Sequence, residues 1–171
     1  MLFDLINIEK VRKAFIYAGF SLLVLLVQDI ILARIQLFGV RAILLPVAVV
    51  AIGFFEGGIW GGVFGLIIGV FGDMSFNDSP VLMTVIFPFI GFFAGVLRSF
   101  FVNKRFFSFF FVCVAALIIT ALAQMFHLII IRDADILALL FTGGLQTLLS
   151  LPLIFAVYFP CRALARLDLS K

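Results

Sequence analysis

Long apolar stretches dominate this chain and leave it too little polar surface to fold as a water-soluble domain. Charged residues make up 12% of the 171 residues, whereas ordinary soluble domains carry about 25%. A soluble fold of this composition would expose apolar patches far larger than those that monomers tolerate. Lipid is therefore the expected solvent for most of the chain, which has room for one bundle and no separate globular enzyme.

The apolar stretches predict an all-α integral membrane protein, a single transmembrane domain over residues 1–171 with six helices. A span needs roughly 20 apolar residues, and four clear spans are expected at about 15–33, 81–102, 107–131 and 136–159. The apolar region from Ala42 to Gly72 is too long for one helix and short for two. We therefore expect two short helices, at about 42–55 and 58–72, separated by a glycine turn after Glu56. If this pair is one helix, the count is five.

The distribution of Lys and Arg indicates the orientation in the membrane, since these residues accumulate in cytoplasmic loops. With six helices and both termini cytoplasmic, the inner segments hold nine cations and the outer loops three. The best five-helix arrangement gives eight against four, so the bias favours six spans. The basic inner segments are also able to attract anionic membrane lipids.

A glycine-rich stretch between Glu56 and Asp73 is the densest pattern in the sequence. Gly61, Gly65 and Gly69 are four residues apart and so share one stripe of a helix. Other glycines extend the pattern, namely Gly58, Gly62 and Gly72 on the same helix and Gly91 and Gly95 on the next. Small residues at this spacing let helix backbones approach closely in lipid. The stripe predicts either a packing seam within the chain or a face that docks a partner's helix.

The same stretch resembles the MreD family of bacterial rod shape-determining membrane proteins. Pro46 lies in the short second helix, and Glu-Gly-Gly-x-x-Gly-Gly-x-x-Gly-Leu-x-x-Gly-x-x-x-Asp follows from Glu56 to Asp73. The resemblance covers about a fifth of the chain, from Leu44 to Asp73. Outside that stretch it rests on the helix count, the charge bias and the length.

The resemblance implies a non-enzymatic component of the cell-elongation (rod) complex in the bacterial plasma membrane. Such a protein helps to organise lateral peptidoglycan synthesis and so maintains cell shape. Its implied partners are MreC most directly, then RodA and its transpeptidase, and MreB indirectly. Contacts would be made between helices, with Pro46 and Glu56 shaping the hairpin and Asp73 closing the glycine pattern. Neither a cofactor nor a nucleic acid is implied, and a homo-oligomer stays open.

Polar faces on predicted helices five and six support a second hypothesis, which competes with the shape-determining function. Helices five and six are expected to run antiparallel, which would bring six polar side chains together. They are Thr120, Gln124 and His127 on helix five and Thr142, Gln146 and Ser150 on helix six. These faces predict either a hydrogen-bonded seam or a small cavity. MreD is distantly similar to the S components of energy-coupling-factor transporters, which would use such a cavity to bind a vitamin.

The sequence gives little support for an enzyme. It shows no nucleophile–base pair, no metal cluster and no phosphate-binding loop. His127 is the single histidine, and it has no visible second ligand or catalytic partner. We therefore expect neither a catalytic residue nor a metal ligand in this chain.

Overall fold

The computed structural model describes residues 8–32, 34, 36–37, 40–75, 81–100, 106–132 and 136–167. These residues form six α-helices and one small sheet. The helices are α1 (Ile8–Leu26), α2 (Leu45–Glu56), α3 (Gly58–Ser75), α4 (Leu82–Phe100), α5 (Phe106–Arg132) and α6 (Ile136–Leu167). The prediction of an all-α protein with six helices is confirmed.

The connection between α1 and α2 is the least regular part of the described chain. The helix α1 continues as a π-helical turn over Val27–Leu32. Two short strands follow, β1 (Gln36–Leu37) and β2 (Val40–Arg41), which pair antiparallel. Residues 42–44 then lead into α2 without regular structure.

The helix α2 lies at the centre of the molecule. All its residues from Leu45 to Phe55 are buried, and it packs against every other helix. Its 12 residues extend about 18 Å, which is shorter than the roughly 30 Å hydrocarbon core of a bilayer. Such a short helix is stable at membrane depth because protein, and not lipid, surrounds its ends.

The two sides of α2 pack by different means. On one side it meets α3 and α4, which make the most extensive helix contact in the described residues. On the other side it meets α5 and α6 through aromatic rings. The centroids of Phe54 and Phe109 are 5.7 Å apart, and those of Phe55 and Tyr158 are 5.9 Å apart.

Within the part of the chain that the structure describes, four helical stretches are long and apolar enough to cross a membrane, namely Val11–Leu32, Gly58–Ser75, Phe106–Phe126 and Leu137–Leu164. Two shorter apolar helices accompany them, at Leu45–Glu56 and Leu82–Arg98. Large apolar side chains point outward on the long helices, including Phe15, Phe111 and Phe141. Together these features indicate a membrane protein whose outer surface is solvated by lipid.

The helix bounds differ from the predicted ones mainly at the two ends of the chain. The helix α1 begins at Ile8 and not near residue 15, and α6 continues to Leu167 and not only to 159. The prediction ended each helix where its apolar composition ends, although helical hydrogen bonding continues beyond that point. Pro152 and Pro160 lie inside α6. Membrane helices tolerate such prolines because neighbouring groups satisfy the freed carbonyls.

Candidate functional site

The predicted glycine stripe lies in the contact between α3 and α4. Gly65 and Gly69 are buried, and each faces backbone and not side chain. A Cβ at Gly65 would lie 2.6 Å from the carbonyl oxygen of Phe87, and one at Gly69 would lie 2.6 Å from that of Met83. The stripe is therefore the packing seam between two helices of this chain.

Three glycines from three helices meet where α2, α3 and α4 cross. A Cβ at Gly53 of α2 or at Gly61 of α3 would overlap the carbonyl oxygen of Gly91 of α4. Gly95 continues the seam, because its Cβ would overlap the backbone of Gly58. Gly53 was not predicted, since it is isolated in its helix. Its only sequence signal is a glycine within an otherwise strongly apolar helix.

Two of the remaining predicted glycines show where the seam ends. A Cβ at Gly72 would lie 2.8 Å from the side chain of Leu45, a contact that a flexible side chain can relieve. A Cβ at Gly62 would meet nothing closer than the oxygen of Pro88, at 3.8 Å. Gly62 thus has room for a methyl group although it is adjacent in sequence to Gly61.

The turn between α2 and α3 consists of Gly57 alone. Its φ of 111° lies in a region that residues with a Cβ rarely adopt. Its N–H donates to the oxygen of Gly53 at 2.8 Å, and its own oxygen accepts from the N–H of Gly61 at 3.0 Å. A glycine here lets α3 begin immediately after α2 and so brings Gly61 of α3 against Gly53 of α2.

Glu56 attaches this turn to the first helix. Its carboxylate accepts a hydrogen bond from the Tyr17 hydroxyl at 2.7 Å and lies 3.6 Å from the Lys13 ammonium. Arg98 of α4 donates to the carbonyl oxygen of Phe55 at 2.5 Å, which satisfies a group at the end of α2. Glu56 therefore holds the hairpin against α1, in addition to lying at the start of α3.

Asp73, near the end of α3, caps the beginning of α4. Its carboxylate accepts from the backbone N–H of Met83 at 2.9 Å and from that of Thr84 at 2.8 Å. The Thr84 hydroxyl donates to the same carboxylate at 2.7 Å. The first N–H groups of a helix have no partner within it, and a carboxylate is well suited to accept from them. The aspartate that closes the sequence pattern thus fixes α4 to α3.

The beginning of α2 is capped by two distant helices. Gln28, in the π-helical turn after α1, accepts from the N–H of Leu44 at 2.8 Å and donates to the oxygen of Ala42 at 3.2 Å. Ser150 of α6 accepts from the N–H of Ile43 at 3.0 Å. Both side chains are buried. They satisfy irregular backbone that would otherwise be unpaired at membrane depth.

Pro46 occupies the first turn of α2. A proline is tolerated there because the missing N–H would have no helical partner in any case, and its fixed φ suits the helix. Gln28 was not predicted to take part in this region. A glutamine in an otherwise apolar helix is the sequence signal that could have identified it.

Among the side chains that the structure describes, the predicted polar faces of α5 and α6 meet at one pair. Gln146 donates to Gln124 over 3.4 Å, near the limit of a hydrogen bond. The hydroxyls of Thr120 and Thr142 donate instead to carbonyls of their own helices, at 2.8 and 2.9 Å. The side chain of His127 lies outside the described residues.

The space that the described residues enclose beside this pair is small. A void lined by Thr120, Gln146, Thr147 and their neighbours measures about 10 Å³, which is about the size of one water molecule. No group of three metal-ligating side chains occurs among the described residues. Within these residues the polar groups that the structure brings together hold helix ends and helix pairs in place. Comparison with models of protein families, with curated proteins and with solved structures finds no match for this chain.

Proposed function

We propose that this protein is an MreD-type component of the bacterial cell-elongation complex. It would help to organise lateral peptidoglycan synthesis and maintain cell shape. It would reside in the plasma membrane with six spans and both termini in the cytoplasm, as the Lys and Arg distribution favours. The proposal begins from the resemblance of the stretch from Leu44 to Asp73 to the MreD family.

One observation carries the proposal beyond the resemblance. The buried glycines of that sequence pattern and Asp73 share one physical role, because they hold α2, α3 and α4 together. Gly61, Gly65 and Gly69 set the distance between α3 and α4, and Asp73 fixes the start of α4. A rigid unit of this kind is suited to hold other membrane proteins in a defined arrangement, which is the role of a scaffold.

Partner contacts in this proposal involve the outward faces of the helices and not the glycine stripe. The stripe is occupied by α4, so no second helix has room to reach Gly65 or Gly69. Exposed apolar side chains cover the outer sides of α1, α3, α4, α5 and α6. MreC would bind such a face directly, with RodA and its transpeptidase next and MreB reached indirectly.

The rival hypothesis, a vitamin-binding S component, is less well supported. Such a subunit needs a cavity that encloses a small molecule, and binding sites for drug-sized ligands measure about 300–1,000 Å³. Among the described residues, the void beside Thr120 and Gln146 measures about 10 Å³. Ser150, one of the six predicted polar residues, binds the backbone before α2.

A crosslinked pull-down from native membranes tests the proposal. The full-length protein carries an affinity tag, crosslinking precedes extraction, and the co-purifying proteins are identified by mass. Recovery of MreC together with RodA and its transpeptidase is the expected result. Recovery of a membrane T component with its ATPases would instead identify a vitamin carrier. A second multi-pass membrane protein, tagged and expressed at the same level, controls for non-specific capture.

A further inference from the structure

We propose that the groove between α1 and α3 binds a membrane-spanning helix of a partner that carries a Lys or Arg near one end of its apolar stretch. The groove has a volume of about 350 Å³ and lies on the outer surface of the molecule. This inference rests on the proposed function and deepens it, because it assigns the surface by which the scaffold holds its most direct partner, MreC.

The walls of the groove suit an apolar helix. Leu22 and Leu26 of α1 face Ile67 and Phe71 of α3 across it. These side chains are exposed, with Leu22 at 60% and Phe71 at 50%. The α1 residues recur at helical spacing and form a stripe parallel to the groove, so a third helix packed there would contact both walls along several turns.

Asp29 gives the groove its chemical selectivity. Its carboxylate lines the groove near the ends of both helices, in the π-helical turn that also directs Gln28 into the core. The side chain is exposed and, among the described residues, accepts one hydrogen bond, from the Ser75 hydroxyl at 2.9 Å. A carboxylate has about four acceptor positions, so Asp29 retains capacity to bind a cation.

The charge on Asp29 decides between candidate occupants. An anionic lipid headgroup would be repelled, whereas an ammonium or guanidinium group at the same depth would be attracted. Lys and Arg side chains close to the end of a membrane helix extend toward the interface while their stems stay in lipid. A partner helix with such a residue would therefore bind with its apolar face in the groove and its cation at Asp29, which also fixes its depth.

A second groove shows what Asp29 adds. The groove between α4 and α5 is slightly larger, at about 380 Å³, but its walls consist of apolar side chains alone. Nothing in it discriminates between a helix, a lipid tail or a second copy of the chain. Phe93 in that groove is 58% exposed and Phe71 in the α1–α3 groove is 50% exposed. Because the two side chains are similarly accessible, the α4–α5 groove serves as the control surface.

Site-specific photocrosslinking tests the inference in native membranes. A photoreactive phenylalanine analogue replaces Phe71 or Phe93 in the full-length protein, which is co-expressed with tagged MreC from the same organism. We expect a crosslinked product with MreC from position 71, at a yield at least about fivefold above that from position 93. Asp29→Asn should lower the position-71 yield about fivefold, as expected for the loss of one ion pair.

Charge reversal separates a specific ion pair from a general effect. Asp29→Lys should abolish the crosslink, and replacing the cationic residue of the MreC span by Asp should restore it. Asp29→Asn keeps an oxygen for Ser75, so an unchanged thermal unfolding midpoint shows that the fold is intact. Equal crosslinking from positions 71 and 93, a position-71 product with lipid or a second copy only, or no effect of Asp29→Asn would each overturn the inference.

The outcomes also distinguish the inference from the proposed function. If MreC co-purifies with the protein but crosslinks at position 93, the shape-determining function stands and the α1–α3 groove is wrong. If MreC is absent from the pull-down of the unmodified protein, both proposals fail together.

Discussion

The two sides of α2 show two ways of packing helices in lipid. Toward α3 and α4 the contact depends on missing side chains, since Gly53, Gly61 and Gly91 let three backbones touch. Toward α5 and α6 it depends on large side chains, with Phe54 against Phe109 and Phe55 against Tyr158. Backbone contacts cannot move aside, whereas side chains can repack. The glycine side should therefore be intolerant of added volume, and the aromatic side should tolerate modest changes.

The largest effect is expected from adding one methyl group at the three-helix crossing. In Gly61→Ala the new Cβ would overlap the oxygen of Gly91 and lie 2.6 Å from the Cα of Gly53. Because these are backbone atoms, the helices must separate, at a cost of about 3 kcal/mol or more in unfolding free energy. The fluorescence of Trp60, the single tryptophan, reports unfolding in detergent titrated with a denaturing surfactant.

Gly62→Ala is the matched control on the same helix. Its Cβ would lie 3.8 Å from the oxygen of Pro88 on α4, which is an ordinary contact distance, so the free energy of unfolding should change by less than about 0.5 kcal/mol. Equal destabilisation by both variants would show that close packing against α4 does not decide the effect, because Ala has the higher helix propensity and should not by itself destabilise α3.

A second, smaller loss is expected where α2 begins. Gln28→Leu removes the acceptor for the N–H of Leu44 and the donor to Ala42. Leaving the buried N–H of Leu44 unpaired costs about 1–3 kcal/mol, and Ala42 is only half-buried, so we expect a loss of about 2 kcal/mol in the same assay. Thr142→Val is the control, because this hydroxyl is exposed and, among the described residues, bonds to a carbonyl of its own helix alone. Unchanged stability of Gln28→Leu would contradict the capping role.

The sequence predicted the glycine contact between α3 and α4 better than the hydrogen bonds that cap the start of α2, for a physical reason. The four-residue spacing of Gly61, Gly65 and Gly69 follows from helix geometry alone, so the stripe is visible in a local pattern. The caps at the start of α2 join residues 28, 44 and 150, which no local pattern connects. The backbone before α2 needs these caps because α2 is shorter than the membrane and begins inside the protein.

The contacts of the polar faces of α5 and α6 were predicted only in part, and the start of α2 explains why. The predicted antiparallel arrangement of the two helices does bring Gln124 and Gln146 together. Ser150 was expected to join the same polar group, but its hydroxyl accepts from the N–H of Ile43. Unpaired backbone competes strongly for a hydroxyl acceptor in lipid, and the prediction considered side chains alone.

The aromatic side of α2 should respond less to a comparable perturbation. Phe109→Leu removes the ring that packs on Phe54 at 5.7 Å and leaves an apolar side chain that can repack. Apolar substitutions of similar volume usually cost less than about 1.5 kcal/mol, so the loss should be about half that of Gly61→Ala. A larger loss than for Gly61→Ala would reverse the comparison between the two sides of α2.

The smallest expected effect belongs to the contact between Gln124 and Gln146. Its 3.4 Å length and the partial exposure of both residues indicate a weak hydrogen bond, and side-chain bonds between membrane helices average about 0.6 kcal/mol. A double-mutant cycle with Gln124→Ala and Gln146→Ala should therefore give a coupling energy no larger than about 0.6 kcal/mol. A coupling of several kcal/mol would mean that these amides belong to a strongly connected polar site. Such a site would strengthen the rival ligand-binding hypothesis at the expense of the scaffold, because a structural seam has no need of so strong a pair.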